Sequence, residues 1–198
     1  MPNKLTLLRV AIAPVFLIFL LWESLPHNFM IANVIFIIAS ITDLIDGKLA
    51  RKHGLITDFG KFLDPLADKV LVLCALVGLV ELNIISAWFC VIILTREFLV
   101  TSLRLVAVTG GEVIPASKWG KAKTITQITA IITILTLQEV LYILSLPELI
   151  PATKGFLPIA GSIVDVMIPC MMIVVTVLTI ISGIMYIVSH KSYIDVTK

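Results

Sequence analysis

Six long apolar runs set the terms on which this chain can fold. They cover roughly Leu5 to Trp22, Met30 to Ile45, Phe62 to Val80, Ile84 to Val108, Ala122 to Leu146 and Ile163 to Val188. A helix needs about 20 mostly apolar residues to cross a bilayer. Six crossings therefore use most of the 198 residues and leave only short connections. Composition agrees: apolar types are 59 % and charged residues 14 % of the chain, against about 45–50 % and 25 % in soluble domains. Mean hydropathy is +1.10. A soluble globule of this size has no interior large enough for that much apolar surface. A soluble enzyme, a disordered chain and a fibrous repeat are excluded. The expectation is an all-α integral membrane protein with six transmembrane helices, organised as a single domain over residues 1–198.

Punctuation falls between the runs. Glu81-Leu82-Asn83 reads as a turn, Gly110-Gly111 with Pro115 as a loop, and Pro147, Pro151, Gly155 and Pro158 as another. Pro169 predicts a kink in the last span. The first run has no cleavage-site pattern and is long for a signal peptide, so it reads as a retained helix. Six spans put both termini on one side, and positive charge chooses the side. Lys4, Arg9, Lys48, Arg51, Lys52, Lys61, Arg104, Lys118, Lys121, Lys123, Lys191 and Lys198 all fall at one end of the bundle. Lys154 alone falls at the other, and Lys69 and Arg96 lie within spans. Both termini are expected in the cytoplasm.

Cys74, Cys90 and Cys170 are scattered through apolar runs and read as buried small hydrophobes, not as disulfides or zinc ligands. His27, His53 and His190 form no ligand pattern. A formal net charge of +2 gives no case for nucleic acid as a partner. Thr126, Thr129, Thr133 and Thr136 make a stripe on the fifth span, expected to pack with hydroxyls bonded to backbone carbonyls. Glu139 and Asp165, near the outer ends, are expected to be solvated.

Charges within a membrane are costly and ask for a reason. Asp43 and Asp46 end the second span at spacing i, i+3, and Asp64 and Asp68 open the third at i, i+4; each pair shares one helix face. The short connection makes the two helices antiparallel neighbours, so four carboxylates converge at the cytoplasmic end. Unpaired, they would repel or take up protons. Magnesium or manganese, which prefer hard carboxylate oxygens, relieves this, and two metals sharing aspartates suit phosphate chemistry. Lys48, Arg51, Lys61 and Lys69 offer a second solution, as plain ion pairs; cation transport is a third. Gly47, Ala50 and Gly60 permit close approach of helices or of a ligand.

Residues 43–68 read DLIDGKLARKHGLITDFGKFLDPLAD. This resembles the signature of the CDP-alcohol phosphotransferase family, D-x-x-D-G-x-x-A-R, eight residues, then G-x-x-x-D-x-x-x-D. Asp43, Asp46, Gly47, Ala50, Arg51, Gly60, Asp64 and Asp68 fill every fixed position. The opening Asn3-Lys4-Leu5-Thr6-Leu7-Leu8-Arg9, the stretch Thr95-Arg96-Glu97-Phe98 with Arg104, and Gly120-Lys121-Ala122-Lys123-Thr124 are similar to the bacterial phosphatidylglycerophosphate-forming branch. The similarity covers about the first 125 residues; the last third matches in hydropathy only.

The resemblance implies transfer of a phosphatidyl group from CDP-diacylglycerol to glycerol 3-phosphate, with CMP released. It implies two divalent cations, Mg2+ or Mn2+, held by Asp43, Asp46, Asp64 and Asp68, with Asp68 also the general base. Asp43, Gly47, Ala50, Arg51 and Gly60 would line the CDP site. The acceptor phosphate needs fixed cations, and Arg96, Arg104, Lys118 and Lys121 are the candidates. Arg96 beside Glu97 also reads as a structural ion pair. A homodimer and a place in the bacterial cytoplasmic membrane, with the active site at its cytoplasmic face, are further implications. Acyl chains can stay in the bilayer while the CDP head enters, so a lateral gap between helices is expected. Other acceptors within the family (serine, inositol phosphate, phosphatidylglycerol), a cation transporter and a structural or partner-binding membrane protein are the alternatives.

Overall fold

A computed structural model of the chain describes residues 2–53, 58–109, 118–146 and 155–189, with side chains at 10–42, 69–107, 118–146 and 155–189. The described residues form six helices and no strand: α1 Pro2–Leu21, α2 Asn28–His53, α3 Asp58–Glu81, α4 Ala87–Thr109, α5 Lys118–Leu144 and α6 Leu157–Ser189. Each apolar run becomes one helix. The helices outlast the runs because polar residues continue the backbone hydrogen bonding. α2 runs eight residues beyond Ile45, to His53, and carries the first half of the signature with it. Pro169 lies inside α6, which continues to Ser189.

Two turns are made by residues in the left-handed region. His27 has φ 58° and Asn83 φ 57°, the second a residue type that tolerates this conformation. The Asn28 amide donates to the Leu20 carbonyl at 3.0 Å, satisfying an acceptor at the end of α1 that would otherwise be orphaned. The Trp88 N–H donates to Ser86 Oγ at 3.4 Å, a start signal for α4.

Helix contacts close into a ring in the order α2, α1, α3, α4, α6, α5 and back to α2. α1 packs on both α2 and α3, whereas α2 and α3 touch only lightly among the described residues. The two helices expected to be neighbours do touch, with α1 taking most of the packing on each. Small residues explain it. A Cβ on Gly78 would lie 2.6 Å from Leu20 Cδ2 and 2.9 Å from Leu17 Cδ1, so α3 admits α1 only because the side chain is missing. Phe16 and Phe36 then meet with ring centroids 5.6 Å apart. Ala13, Leu20, Ala39, Ala75, Leu76 and Leu79 complete this half of the core. Ile131, Ile134 and Leu135 of α5 and Ile168, Met172 and Val175 of α6 supply the other half.

The outside is apolar too. Ile18, Val34, Ile38, Trp88, Val166 and Ile184 all face outward, far more exposed apolar surface than a soluble monomer carries. α5 and α6 are long and apolar enough to cross a membrane, and Val10–Leu21 and Asn28–Thr42 are shorter apolar helices. The free cysteines vary in setting: Cys90 is buried, Cys74 half-buried and Cys170 exposed. The last departs from the buried setting expected of it.

Candidate active site

Asp43 and Asp46 lie in the second half of α2, and Asp64 and Asp68 in the first half of α3. Both segments are continuous helix, so the i, i+3 and i, i+4 spacings do place each pair on one helix face. The side chains of Asp43, Asp46, Gly47, Ala50, Arg51, Gly60, Asp64 and Asp68 lie outside the described residues. So do the side chains of Lys4, Arg9, Lys48, Lys52 and Lys61, and residues Lys154, Lys191 and Lys198. Among the described residues no other grouping of acidic, histidine or cysteine side chains could hold a metal.

Description of side chains resumes at Lys69, one residue past Asp68, and a charged knot begins there. Lys69 Nζ donates to Glu97 Oε2 at 2.5 Å. The other carboxylate oxygen, Oε1, accepts from Arg96 Nη1 at 2.8 Å and from Lys123 Nζ at 2.7 Å. Arg96 Nη2 reaches on to Ser182 Oγ at 2.5 Å. One carboxylate thus joins α3, α4 and α5, and Arg96 carries the network to α6. Lys123 is only 2 % exposed, so its charge has no water to turn to. Charges in such a place persist only when paired and hydrogen-bonded.

Helical spacing explains the convergence. Arg96 and Glu97 are adjacent on α4 and diverge by about 100° around its axis, one toward α6 and one toward α3 and α5. Gly183 leaves the room: a Cβ there would sit 3.1 Å from Arg96 Cγ. Arg96 Nε remains buried without a hydrogen-bond partner. The reading of Arg96 as a structural ion pair is met by this geometry. Lys123, at the start of the fifth run, lies in α5 as its place in that run implies, and it is buried. Arg104, Lys118 and Lys121 are exposed, and the structure does not gather them with Arg96 into one described cluster. Reading the sequence saw Glu97 only as a companion of Arg96; the signal for its larger role was that Lys69 and Glu97 both lay inside spans.

Two shallow, largely apolar clefts lie between helices on this side of the ring, the first of them touching the knot at Arg96. One, of about 180 Å³, lies between α4 and α6 and is lined by Thr95, Arg96, Leu99 and Gly183 among others. The second, of about 300 Å³, lies between α5 and α6 at Ile125, Thr129, Met171 and Val174.

At the opposite end a second carboxylate is buried. Glu139 is 6 % exposed, which corrects the expectation that it is solvated. Its Oε1 is 2.6 Å from His27 Nδ1, and its Oε2 accepts the Met30 N–H at 3.1 Å. The His27 ring meets Tyr142 edge-on at 5.2 Å. The chain before α2 folds over the end of α5 and shields Glu139. Asp165 is exposed as expected. The threonine stripe behaves as packing: Thr126, Thr133 and Thr136 donate to the carbonyls of Ala122, Thr129 and Ile132 at 2.8–2.9 Å. Thr136 also accepts from the Asn33 amide at 2.9 Å.

Comparison with known proteins places this geometry. A protein of Bacillus subtilis (strain 168) named CDP-diacylglycerol–glycerol-3-phosphate 3-phosphatidyltransferase is 49 % identical over 142 residues, 66 % of this chain and 74 % of that one. A protein of the same name from Rickettsia bellii (strain RML369-C) is 35 % identical over 197 residues, 98 % of this chain and 96 % of the relative. A probable phosphatidylglycerophosphate synthase of Mycobacterium tuberculosis (strain CDC 1551 / Oshkosh) is 50 % identical over 131 residues, which span 65 % of this chain and 62 % of the relative. The model of the CDP-alcohol phosphatidyltransferase family matches residues 1–151. That stretch takes in the signature, Glu97 and its three cations, and Glu139: the chain belongs to the CDP-alcohol phosphatidyltransferase family.

Proposed function

We propose that the chain transfers the phosphatidyl group of CDP-diacylglycerol to sn-glycerol 3-phosphate, forming phosphatidylglycerophosphate and CMP. The observation that carries this is the complete signature on α2 and α3 in a chain similar over nearly its full length to proteins named for that reaction. The six helices are six membrane spans. Both termini and the signature end of the bundle face the cytoplasm, by the distribution of lysine and arginine. The protein is a bacterial cytoplasmic-membrane enzyme and works as a homodimer.

The acceptor hydroxyl oxygen attacks the β-phosphorus of the donor. A new P–O bond forms, the bond to CMP breaks, and CMP leaves with the electron pair. Asp68 takes the hydroxyl proton. Gly47, Ala50, Arg51 and Gly60, with Asp43, bind the CDP moiety and hold the phosphorus in line. Arg96, Arg104, Lys118 and Lys121 hold the acceptor phosphate by charge-assisted hydrogen bonds. The donor set fits divalent cations: four hard carboxylates, with the adjacent Lys69 paired to Glu97. Asp43, Asp46, Asp64 and Asp68 would hold two of them, Mg2+ or Mn2+. Bound there, they would supply charge neutralisation at the phosphoryl oxygens and the leaving group.

The test is CMP release and lipid product by purified protein given CDP-diacylglycerol with glycerol 3-phosphate, serine, inositol phosphate or phosphatidylglycerol, with magnesium or a chelator. Metal-dependent product with glycerol 3-phosphate alone is the expected result. Turnover with another alcohol keeps the signature chemistry and rejects the acceptor assignment. No turnover with any acceptor, in a folded protein that binds metal, favours cation transport.

A further inference from the structure

α6 lies beyond residues 1–151, the stretch that the family model matches, and no step above uses it. Two consecutive residues of α6 are nonetheless fitted to Arg96 of α4. Ser182 is fully buried, and its Oγ accepts from Arg96 Nη2 at 2.5 Å. A hydroxyl in a membrane helix commonly bonds the carbonyl one turn back, as Thr179 does with Val175 at 2.7 Å. Ser182 instead serves another helix. Gly183 receives the stem of the same arginine: a Cβ there would stand 3.1 Å from Arg96 Cγ and 3.9 Å from Nε, close enough that the stem would have to shift. Glu97 holds Nη1 at 2.8 Å, through an oxygen it shares with Lys123. The guanidinium is thus held at both terminal nitrogens and along its stem, which sets the angle of its plane. An arginine offers five N–H donors, and these two bonds leave the others for a ligand. A planar fork already at its angle loses less freedom when it takes a phosphate than one free to rotate.

We propose that Ser182 is a positioning residue that orients the Arg96 guanidinium for the phosphate of the acceptor, and so brings the last helix into substrate recognition. The inference rests on the assignment of Arg96 to that phosphate. Ser182 touches no substrate; it acts through Nη2 of Arg96. Glu97 cannot set the angle alone, because it is the next residue on the same helix and fixes one nitrogen only. The second fixed point comes from a helix more than 80 residues away in sequence, at a separation of 86.

The experiment is steady-state kinetics of the purified, detergent-solubilised protein with CDP-diacylglycerol and glycerol 3-phosphate, each varied in turn, and melting followed in parallel. S182A removes the oxygen that holds Nη2; the KM of glycerol 3-phosphate is expected to rise about fivefold, the worth of one hydrogen bond, while kcat and the KM of CDP-diacylglycerol stay within about twofold. In the Arg96→Ala background the same change is expected to move the acceptor KM by less than about twofold, since no guanidinium is left to orient. Should S182A fail to fold, Ser182→Cys keeps the size and offers a weaker acceptor; a rise of about threefold, absent in the Arg96→Ala background, is expected. A merely structural loosening would move kcat and both KM values together and would persist without Arg96, and either result overturns the proposal. A parent-like acceptor KM in folded S182A, beside an Arg96→Ala that raises it, overturns the role of Ser182 and leaves the acceptor assignment standing. An Arg96→Ala that leaves the acceptor KM unchanged overturns that assignment itself, and the proposal with it.

Discussion

Among the described residues one carboxylate is buried, Glu139, and another is largely shielded, Glu97, and their company differs. Glu139, at one end, meets a single histidine and a backbone N–H. Glu97, toward the signature, meets two lysines and an arginine. The first ties the α1–α2 connection to α5 through one side-chain and one backbone contact. The second gathers, among the described residues, three cations onto one carboxylate within an apolar body, an arrangement that anions nearby would stabilise. On the proposed reading the phosphates of the substrates are such anions. One carboxylate has a single ring and an N–H for company where the helices are tied together, and the other draws three cations at the end that, on the proposed reading, handles phosphate.

That contrast can be broken, beginning with the largest effects. Withdrawing divalent cations with a chelator is expected to stop CMP release, and added Mg2+ or Mn2+ to restore it; activity that survives exhaustive chelation removes the metals from the reaction. Replacing Asp68 by Asn should lower turnover by about 100- to 10,000-fold, the span for a lost general base, with melting little changed. Near-normal turnover takes Asp68 out of that role. Arg96→Ala and Lys121→Ala should each raise the acceptor KM about tenfold, the worth of one charge-assisted contact; an unchanged KM in both dissolves the phosphate pocket.

The other end should respond in stability alone. Glu139→Ala strands the Met30 N–H and His27, and is expected to cost about 1–3 kcal/mol in a detergent melt, with turnover within about twofold of the parent at a temperature where both are folded. His27→Ala is the smallest: the ring is 40 % exposed, and such a pair contributes about 1 kcal/mol or less. A catalytic defect in either variant would erase the distinction between the two ends.

What sequence could reveal follows the range of the forces involved. The six helices were legible because each is written in a continuous apolar run, and the spans from Leu5–Trp22 to Ile163–Val188 became α1 to α6. The aspartates were legible because their spacing is fixed within two helices. Glu97 and Glu139 were not. Glu97 finds its partners 28 and 26 residues away, and Glu139 finds His27 at a separation of 112. Such contacts depend on how the ring of helices closes, which no local pattern records. The order of that ring, with α1 between α2 and α3, was hidden for the same reason, although Gly78 marks the place where it happens.

That glycine has a bearing on how the protein is made. The surface of α1 that holds Leu17 and Leu20 finds its seat on α3, a helix synthesised later. On the proposed six-span reading, α1 and α2 enter the lipid before α3, with this face still uncovered. The seat arrives only when Gly78 has followed. A ribosome stalled after α2 would hold a half-finished hairpin, open to any passing helix with a groove to offer. The first durable assembly on the pathway is therefore a trio, and bulk at position 78 would be felt first as slow insertion and early degradation, before any loss of catalysis could be measured.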